Sequence, residues 1–383
     1  MKKNIESLNG FRFVLAVFVF LCHNSAFALD ENLAWISNFT VSLGGIAVTA
    51  FFVLSGFCVY LGYSTKFQTI TRESYLKFEK KRIKKIYPLY FFVNVIALLI
   101  QFAVQSFNDH VFIHLIHRFC QSGIKFVLTS LMVQTLVPGY ALSGNGAAWF
   151  ISCIFLIYLV TPFILHFLLK IRLSNVKAAV GIIVCCFALF MLEGIKTWLI
   201  KLTGENSFVE LFYVHPFVRI FEYLCGIFAA EIFLSVNSGK QMEKTGNYVF
   251  TLFEIVLFFI PFIINFLSKF ETNEALSCFV FLLFIFTISF DKGGLSFLFR
   301  TKIFQFFGSI SMEIYLIHYL LHSSKLQVKF ESFVVMAHKN LSAFIIFGFI
   351  ILNFIVTIAL SLLWKKYSHK IFFVNLFERA LDS

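Results

Sequence analysis

The chain has 383 residues, 59% of them hydrophobic and 14% charged, with a mean hydropathy of +0.86. Soluble domains run at about 45–50% apolar and about 25% charged residues, so these proportions exclude a cytosolic globular enzyme, and the 56 Phe exclude a disordered chain. The net charge of +12 is read as Lys and Arg on the cytoplasmic side of a membrane, against anionic lipid, and no nucleic-acid partner is expected.

A bilayer-spanning helix needs about 20 mostly apolar residues. Apolar runs near 9–28, 41–63, 86–105, 147–169, 178–200, 214–236, 247–267, 272–290, 303–323 and 341–364 predict about ten such helices in one all-α integral membrane domain. No polar stretch is long enough for an appended soluble domain. Placing both termini in the cytoplasm puts most of the positive residues inside, which favours an N-in, C-in topology.

The first run follows Met1-Lys2-Lys3 and contains Ala26-Phe27-Ala28, a pattern shared with cleavable signal peptides. Arg12 at its start and His23 near its end argue for a retained span instead. The two are eleven residues apart, which at about 100° per residue returns within about 20° of three full turns. A helix through both puts them on one face, about 16 Å apart along the axis. A cation at the cytoplasmic mouth and a titratable base deeper on the same stripe suit an anionic cytosolic substrate that reaches inward.

After the second run, Lys77, Lys80, Lys81, Arg82, Lys84 and Lys85 lead directly into Tyr87-Pro88. This segment anchors topology on anionic headgroups, and it is also chemically fit to cradle a phosphorylated cosubstrate such as a nucleotide or coenzyme A. Charge alone leaves both readings open. In the outer loop that follows, His110, His114 and His117 fall on one helical face. With only Asp109 nearby to add to a ligand set, an interfacial amphipathic helix is preferred and no metal is expected. The apolar stretch 124–137 is too short for a comfortable span, and counting it as one would invert everything downstream. It is read as a re-entrant or interfacial helix.

Ionisable groups inside spans cost about 2.5–3.5 kcal/mol or more at a helix centre and usually mark a site or pathway. Besides Arg12 and His23 these are Glu193, Arg219, Glu222, Glu254, Glu313 and His318. Counting rise per residue puts His318 about 22 Å from the cytoplasmic side and Glu222 about 12 Å from the outer face, levels at which both can meet His23. Glu222 or Glu313 can orient an imidazole as a carboxylate does in catalytic pairs, and an Arg219–Glu222 ion pair fits equally well. The eight Cys lie almost entirely in apolar runs with no CxxC pair, and are read as small buried hydrophobes.

Six landmarks in order carry a family resemblance. They are Arg12 to His23 as an R-x10-H pair, Ala50-Phe51-Phe52-Val53-Leu54-Ser55-Gly56-Phe57, and the basic run ending Arg82-Ile83-Lys84-Lys85-Ile86-Tyr87-Pro88-Leu89-Tyr90. Trp149 to Pro162, Pro216 to Gly226 and Gly308 to His318 complete the series. Over essentially the whole chain it resembles acyltransferase family 3, integral membrane enzymes that O-acylate glycans and lipid-linked sugars.

The resemblance implies a ten-helix bacterial inner-membrane protein. It would use cytosolic acyl-CoA, usually acetyl-CoA, as cosubstrate, with no bound cofactor and a glycan or lipid-linked sugar as acceptor. It maps the family's histidine onto His23, as general base or acyl relay, and its arginine onto Arg12. Ser55 and Gly56 fall by the donor channel, and Arg82, Lys85 and Tyr87 join the donor set. Trp149, Arg219, Glu222, Glu313, Tyr315 and His318 fall to the acceptor or to support. Two departures stand out. Lys85 occupies a position where the family has a second arginine, which keeps charge but loses the bidentate fork. Ile154 and Phe155 stand where many members carry a glutamate. The rival readings are a proton-coupled exporter of a glycan or lipid and a different membrane acyltransferase acting on lipids or proteins. Scarce Gly/Pro-interrupted helices and the lack of an inverted repeat weigh against the exporter.

Overall fold

The computed structural model describes residues 5–24, 27, 33–107, 112–205, 207–237, 247–268, 273–322, 342–371, 374, 377 and 381. Lys2, Lys3, Ala26, Ala28, Asp109 and His110 lie outside the described residues. Every regular element among the described residues is helical. Residues apolar on all sides form helices that bury in lipid or in each other, and that composition explains the succession. Among the described residues six helices are long and apolar enough to cross a membrane: Ala34–Tyr63, Arg72–Val104, Gly146–Lys170, Asn175–Thr203, Asn247–Leu267 and Ala343–Lys370.

The chain divides into two compact units. The first comprises Met1–Cys22, Asn38–Ser74 and Val160–Ser311, and the second His23–Ser37, Tyr75–Leu159 and Met312–Ser383.

In the first unit α1 (Glu6–Cys22) packs on two short helices, α11 (Gly294–Phe299) and α12 (Lys302–Gly308). The approach is close because glycine stands at the crossings. A Cβ on Gly10 would meet the Phe299 carbonyl, and one on Gly308 would meet the Asn9 carbonyl. Phe11 fills the space between Phe281, Phe284 and Phe299. A second bundle joins α6 (Asn175–Thr203), α8 (Pro216–Asn237), α9 (Asn247–Leu267) and α10 (Glu274–Ile288). Ser174 and Asn273 cap α6 and α10 with their side chains, and Gly204 ends α6 at φ +71°. The long α2 (Ala34–Tyr63) meets α8 through a pair of glycines: Gly56 lies against the Tyr223 carbonyl and Gly226 against that of Val53.

The second unit holds most of α3 (Arg72–Phe107), α4 (Phe112–Ser130), the first half of α5 (Trp149–Lys170), α13 (Ser311–His322) and α14 (Ser342–Tyr367). A short helix, α7 (Ser207–Val214), precedes α8 in the first unit.

Each of the ten expected helical runs has a helical counterpart, and the structure departs from the sequence reading in three places. First, α1 stops at Cys22, so His23 stands in the turn beyond it and the shared-face argument for Arg12 and His23 does not extend to the second residue. Second, the run 303–323 is two helices, α12 and α13, broken at Ser309-Ile310. Third, 124–137 is not one element. α4 begins at Phe112 and ends at Ser130, and a turn with Met132 at φ +58° leads to a 3-10 turn at Gln134–Leu136. α8 has the length of a span but carries Arg219, Glu222 and Glu231.

Candidate functional site

In the second unit the chain leaves α1 and places His23 beside α13. His23 Nδ1 lies 3.2 Å from His318 Nε2, and the two ring centroids are 5.1 Å apart. The Tyr319 ring stands edge-on to His23, also at 5.1 Å between centroids. His318 is 3% exposed and His23 half-buried, so one imidazole is sealed in and the other reaches outward. His318 Nδ1 sits 3.0 Å from the Ile314 carbonyl one helical turn earlier.

α13 is tied down from the loop ahead of α5. Asn145 donates from its side chain to the Leu316 carbonyl at 2.7 Å, while its own oxygen accepts from Ala147 N at 3.1 Å. Tyr315 donates to the Ala147 carbonyl at 2.8 Å. A Cβ on Gly146 would strike the Tyr319 hydroxyl, so only glycine lets that ring lie there.

The loop is held in turn from α3. Asn94 accepts from Asn145 N and donates to the Tyr90 carbonyl, and Gln101 donates to the Gly144 carbonyl. Gly144 has φ +72°, and a Cβ there would meet the Asn94 amide oxygen. Deeper in the unit, the Tyr90 hydroxyl donates to Thr129 O and accepts from Gln134 Nε2. This hydrogen-bonded floor is electrically neutral and almost wholly buried.

On the same unit the basic stretch of α3 is split. Lys77, Lys81 and Lys85 are exposed, whereas Arg82 is half-buried with its guanidinium over Phe78 at 5.1 Å and Tyr158 at 4.8 Å. Lys85 and Lys365 stand close enough to Glu313 for their charges to act on its carboxylate. Tyr87 donates to the Ser130 carbonyl at 2.9 Å and stacks on Phe377. Trp149 is 6% exposed at the start of α5, so it faces the unit interior.

The first unit holds the remaining predicted residues. Arg12 is half-buried, and its Nη2 donates to Cys58 Sγ at 3.2 Å. Ser55 is half-buried; Gly56 is spent on the backbone contact with Tyr223, a packing role that its sequence motif did not announce.

Arg219 is fully buried. Its Nε donates to the Tyr213 carbonyl, Nη1 to Glu222 Oε1 at 2.7 Å and Nη2 to Glu274 Oε1 at 3.1 Å. Thr49 also donates to Glu222 Oε1. Glu222 makes the expected ion pair with Arg219. Glu193 pairs with Lys196 one turn along α6, and Glu254 accepts from the backbone N–H groups of Leu295 and Ser296 at the start of α11. All eight cysteines are free thiols, with Cys120 exposed. His114 and His117 are exposed on α4, and no cluster of three metal-binding side chains occurs among the described residues.

Sequence reasoning missed Asn94, Asn145, Gly146 and Tyr319. The signal present was Ser143-Gly144-Asn145-Gly146 ahead of Trp149, which by itself is indistinguishable from an ordinary turn.

A family model described as an acyltransferase domain matches residues 5–364. Acyltransferase MdmB of Streptomyces mycarofaciens is 30% identical over 190 residues, covering 48% of this chain and 45% of that protein. The chain thus spans about half the length of that relative. No solved structure matches.

Proposed function

The chain belongs to the acyltransferase domain family, and from that premise we propose that it moves an acetyl group from cytosolic acetyl-CoA to a hydroxyl of a cell-surface or lipid-linked glycan. The observation that carries this reading is a half-buried imidazole, His23, hydrogen-bonded to a sealed second imidazole, His318, in a neutral buried setting. Histidine exchanges protons near neutral pH, and a sugar hydroxyl must lose its proton as it attacks a thioester.

In this proposal His23 removes the hydroxyl proton and the oxygen attacks the thioester carbonyl. The C–S bond breaks, and coenzyme A leaves as the thiol after taking the proton back. Arg82 and Lys85 serve the donor's phosphates, and Arg12 is a further donor contact. Arg82 suits this because its aromatic neighbours hold the fork in place, while Lys85 contributes charge from an exposed position. Ser55 and Tyr87 are assigned to the donor side with them. Trp149 and Tyr315 are assigned to the acceptor side as buried support, Tyr315 through its bond to the Ala147 carbonyl. Arg219 and Glu222 act as support, since each is already committed to the other. We propose ten spans with both termini in the cytoplasm of a bacterial inner membrane, in one membrane domain.

The test is transfer of label from radiolabelled acetyl-CoA by the purified protein to a cell-envelope glycan fraction. The wild-type protein is expected to transfer label, and His23→Ala to lose at least about a hundredfold in rate, in the range that a general base contributes. Full activity of His23→Ala removes the catalytic assignment. Export of glycan without any acetyl-CoA consumption supports the transporter reading instead.

A further inference from the structure

The geometry assigns His318 as the residue that fixes which nitrogen of His23 is the base, a step that rests on the acyl-transfer reading above. A backbone carbonyl only accepts, so the 3.0 Å contact between His318 Nδ1 and the Ile314 carbonyl requires the proton of His318 to sit on Nδ1. In the neutral ring, Nε2 of His318 then carries the lone pair. The atom 3.2 Å from that lone pair is Nδ1 of His23, which must donate. With its proton on Nδ1, neutral His23 has its basic lone pair on Nε2. The partner a histidine finds for one nitrogen decides the chemistry of the other.

The arrangement does the work of the carboxylate in a Ser-His-Asp triad with a neutral group. When His23 Nε2 takes the proton from the attacking hydroxyl, the new positive charge is shared. The Nδ1 proton of His23 can pass to His318 Nε2, and the imidazolium so formed on His318 keeps its Nδ1–H bond to Ile314. On the return the proton held by His318 Nε2 goes back to His23 Nδ1, and the proton taken from the hydroxyl leaves His23 Nε2 for the departing thiolate, so no proton is gained or lost over the cycle. A carboxylate here would bring a permanent charge into a site sealed to 3% exposure, and a second imidazole avoids that cost. Tyr315 and Tyr319 are the titratable side chains whose rings face this pair, with centroids 6.1 Å and 6.3 Å from His318. Asn145 holds the helix that carries the acceptor nitrogen by bonding at Leu316. His318 is thus a positioning residue.

Two substitutions separate this role from a structural one. His318→Asn places an amide N–H near the position of Nδ1 and keeps the bond to Ile314, but removes the acceptor. His318→Gln places an oxygen near the position of Nε2 and keeps the acceptor, but gives up the bond to Ile314. In the labelled acetyl-CoA assay, His318→Gln is expected within about tenfold of wild-type kcat, and His318→Asn about a hundredfold or more below it. The KM for acetyl-CoA should change little in either.

Histidine labelled with 15N, with the His23 signals assigned by comparison with His23→Ala, provides a readout that needs no substrate. His23 should be the Nδ1–H tautomer in the wild-type protein and lose that preference in His318→Asn. The inference is overturned if His318→Asn keeps kcat within tenfold, if His318→Gln falls as far as His318→Asn, or if wild-type His23 carries its proton on Nε2. Loss of the proposed reaction itself would appear differently, as no label transfer by the wild-type protein, and the tautomer would still decide this inference.

Discussion

Around Arg219 in the first unit, one guanidinium meets two carboxylates, a carbonyl and the Tyr213 ring, and every group is held by a charged or polar partner. Around His23 in the second unit, two imidazoles, two phenols and two asparagines meet each other and the backbone through hydrogen bonds and ring contacts. Each is a polar cluster built around residues whose ionisable side chains stand out in an apolar run, Arg219 and Glu222 in one and His23 and His318 in the other. The ionic cluster is committed: moving a proton or a charge within it would strip a partner from a buried ion. The imidazole pair has titratable nitrogens 3.2 Å apart, between which a proton can be shared. Burial with a charge partner reads as structure, and burial with an exchangeable proton reads as chemistry.

The largest effect that can break this comparison is at Arg219. In Arg219→Leu the Glu222 carboxylate remains buried without its cation, and a broken buried pair costs about 3–5 kcal/mol. Denaturant unfolding in detergent should show that loss, with transfer activity falling only as far as the folded fraction does. A loss below about 1 kcal/mol would show that the ionic cluster is not what holds its helices together.

Asn145→Ala sharpens the other side. The Ala147 N–H loses its partner inside the unit and the Leu316 carbonyl, which lies within α13, loses its second one, at about 1–2 kcal/mol. Unlike Arg219→Leu, this change acts on the helix that carries His318. It should therefore lower kcat in molecules that remain folded, measured as label transfer per folded protein. An unchanged kcat would detach the loop from the imidazole pair and leave it as packing alone.

The contrast also explains what sequence could deliver. Helix positions were legible because a span needs about 20 apolar residues and little else. His23, Arg12 and His318 were legible because an ionisable side chain in such a run stands out. Their partners were not. His23 meets a residue 295 positions later, and Thr49 meets Glu222 across 173, separations that no local period encodes. The resemblance puts Gly56 by the donor channel, and no local pattern tells that the Tyr223 carbonyl, on a helix far along the chain, also needs its missing Cβ. Asn145 was passed over because Ser-Gly-Asn-Gly describes a turn equally well whether it is exposed or, as here, buried and holding a neighbouring helix.

Glu254 supplies the finest discrimination and, in its Gln variant, the smallest effect. Its Oε2 accepts from Leu295 N at 2.8 Å and Ser296 N at 3.0 Å, two of the orphan donors at the start of α11. Gly293 is needed beside it, because a Cβ there would collide with the carboxylate. This charge belongs with the Arg219 cluster in being committed, but its partners are N–H dipoles rather than an ion. Glu254→Gln keeps an oxygen in place and forfeits only the charge-assisted part of the two bonds, about 1 kcal/mol. Glu254→Ala leaves both donors buried and unpaired, and should cost about 2–3 kcal/mol by the same measurement. If Gln were as damaging as Ala, the negative charge itself would be the requirement, and Glu254 would have to be counted with the groups whose charge does work beyond holding the fold.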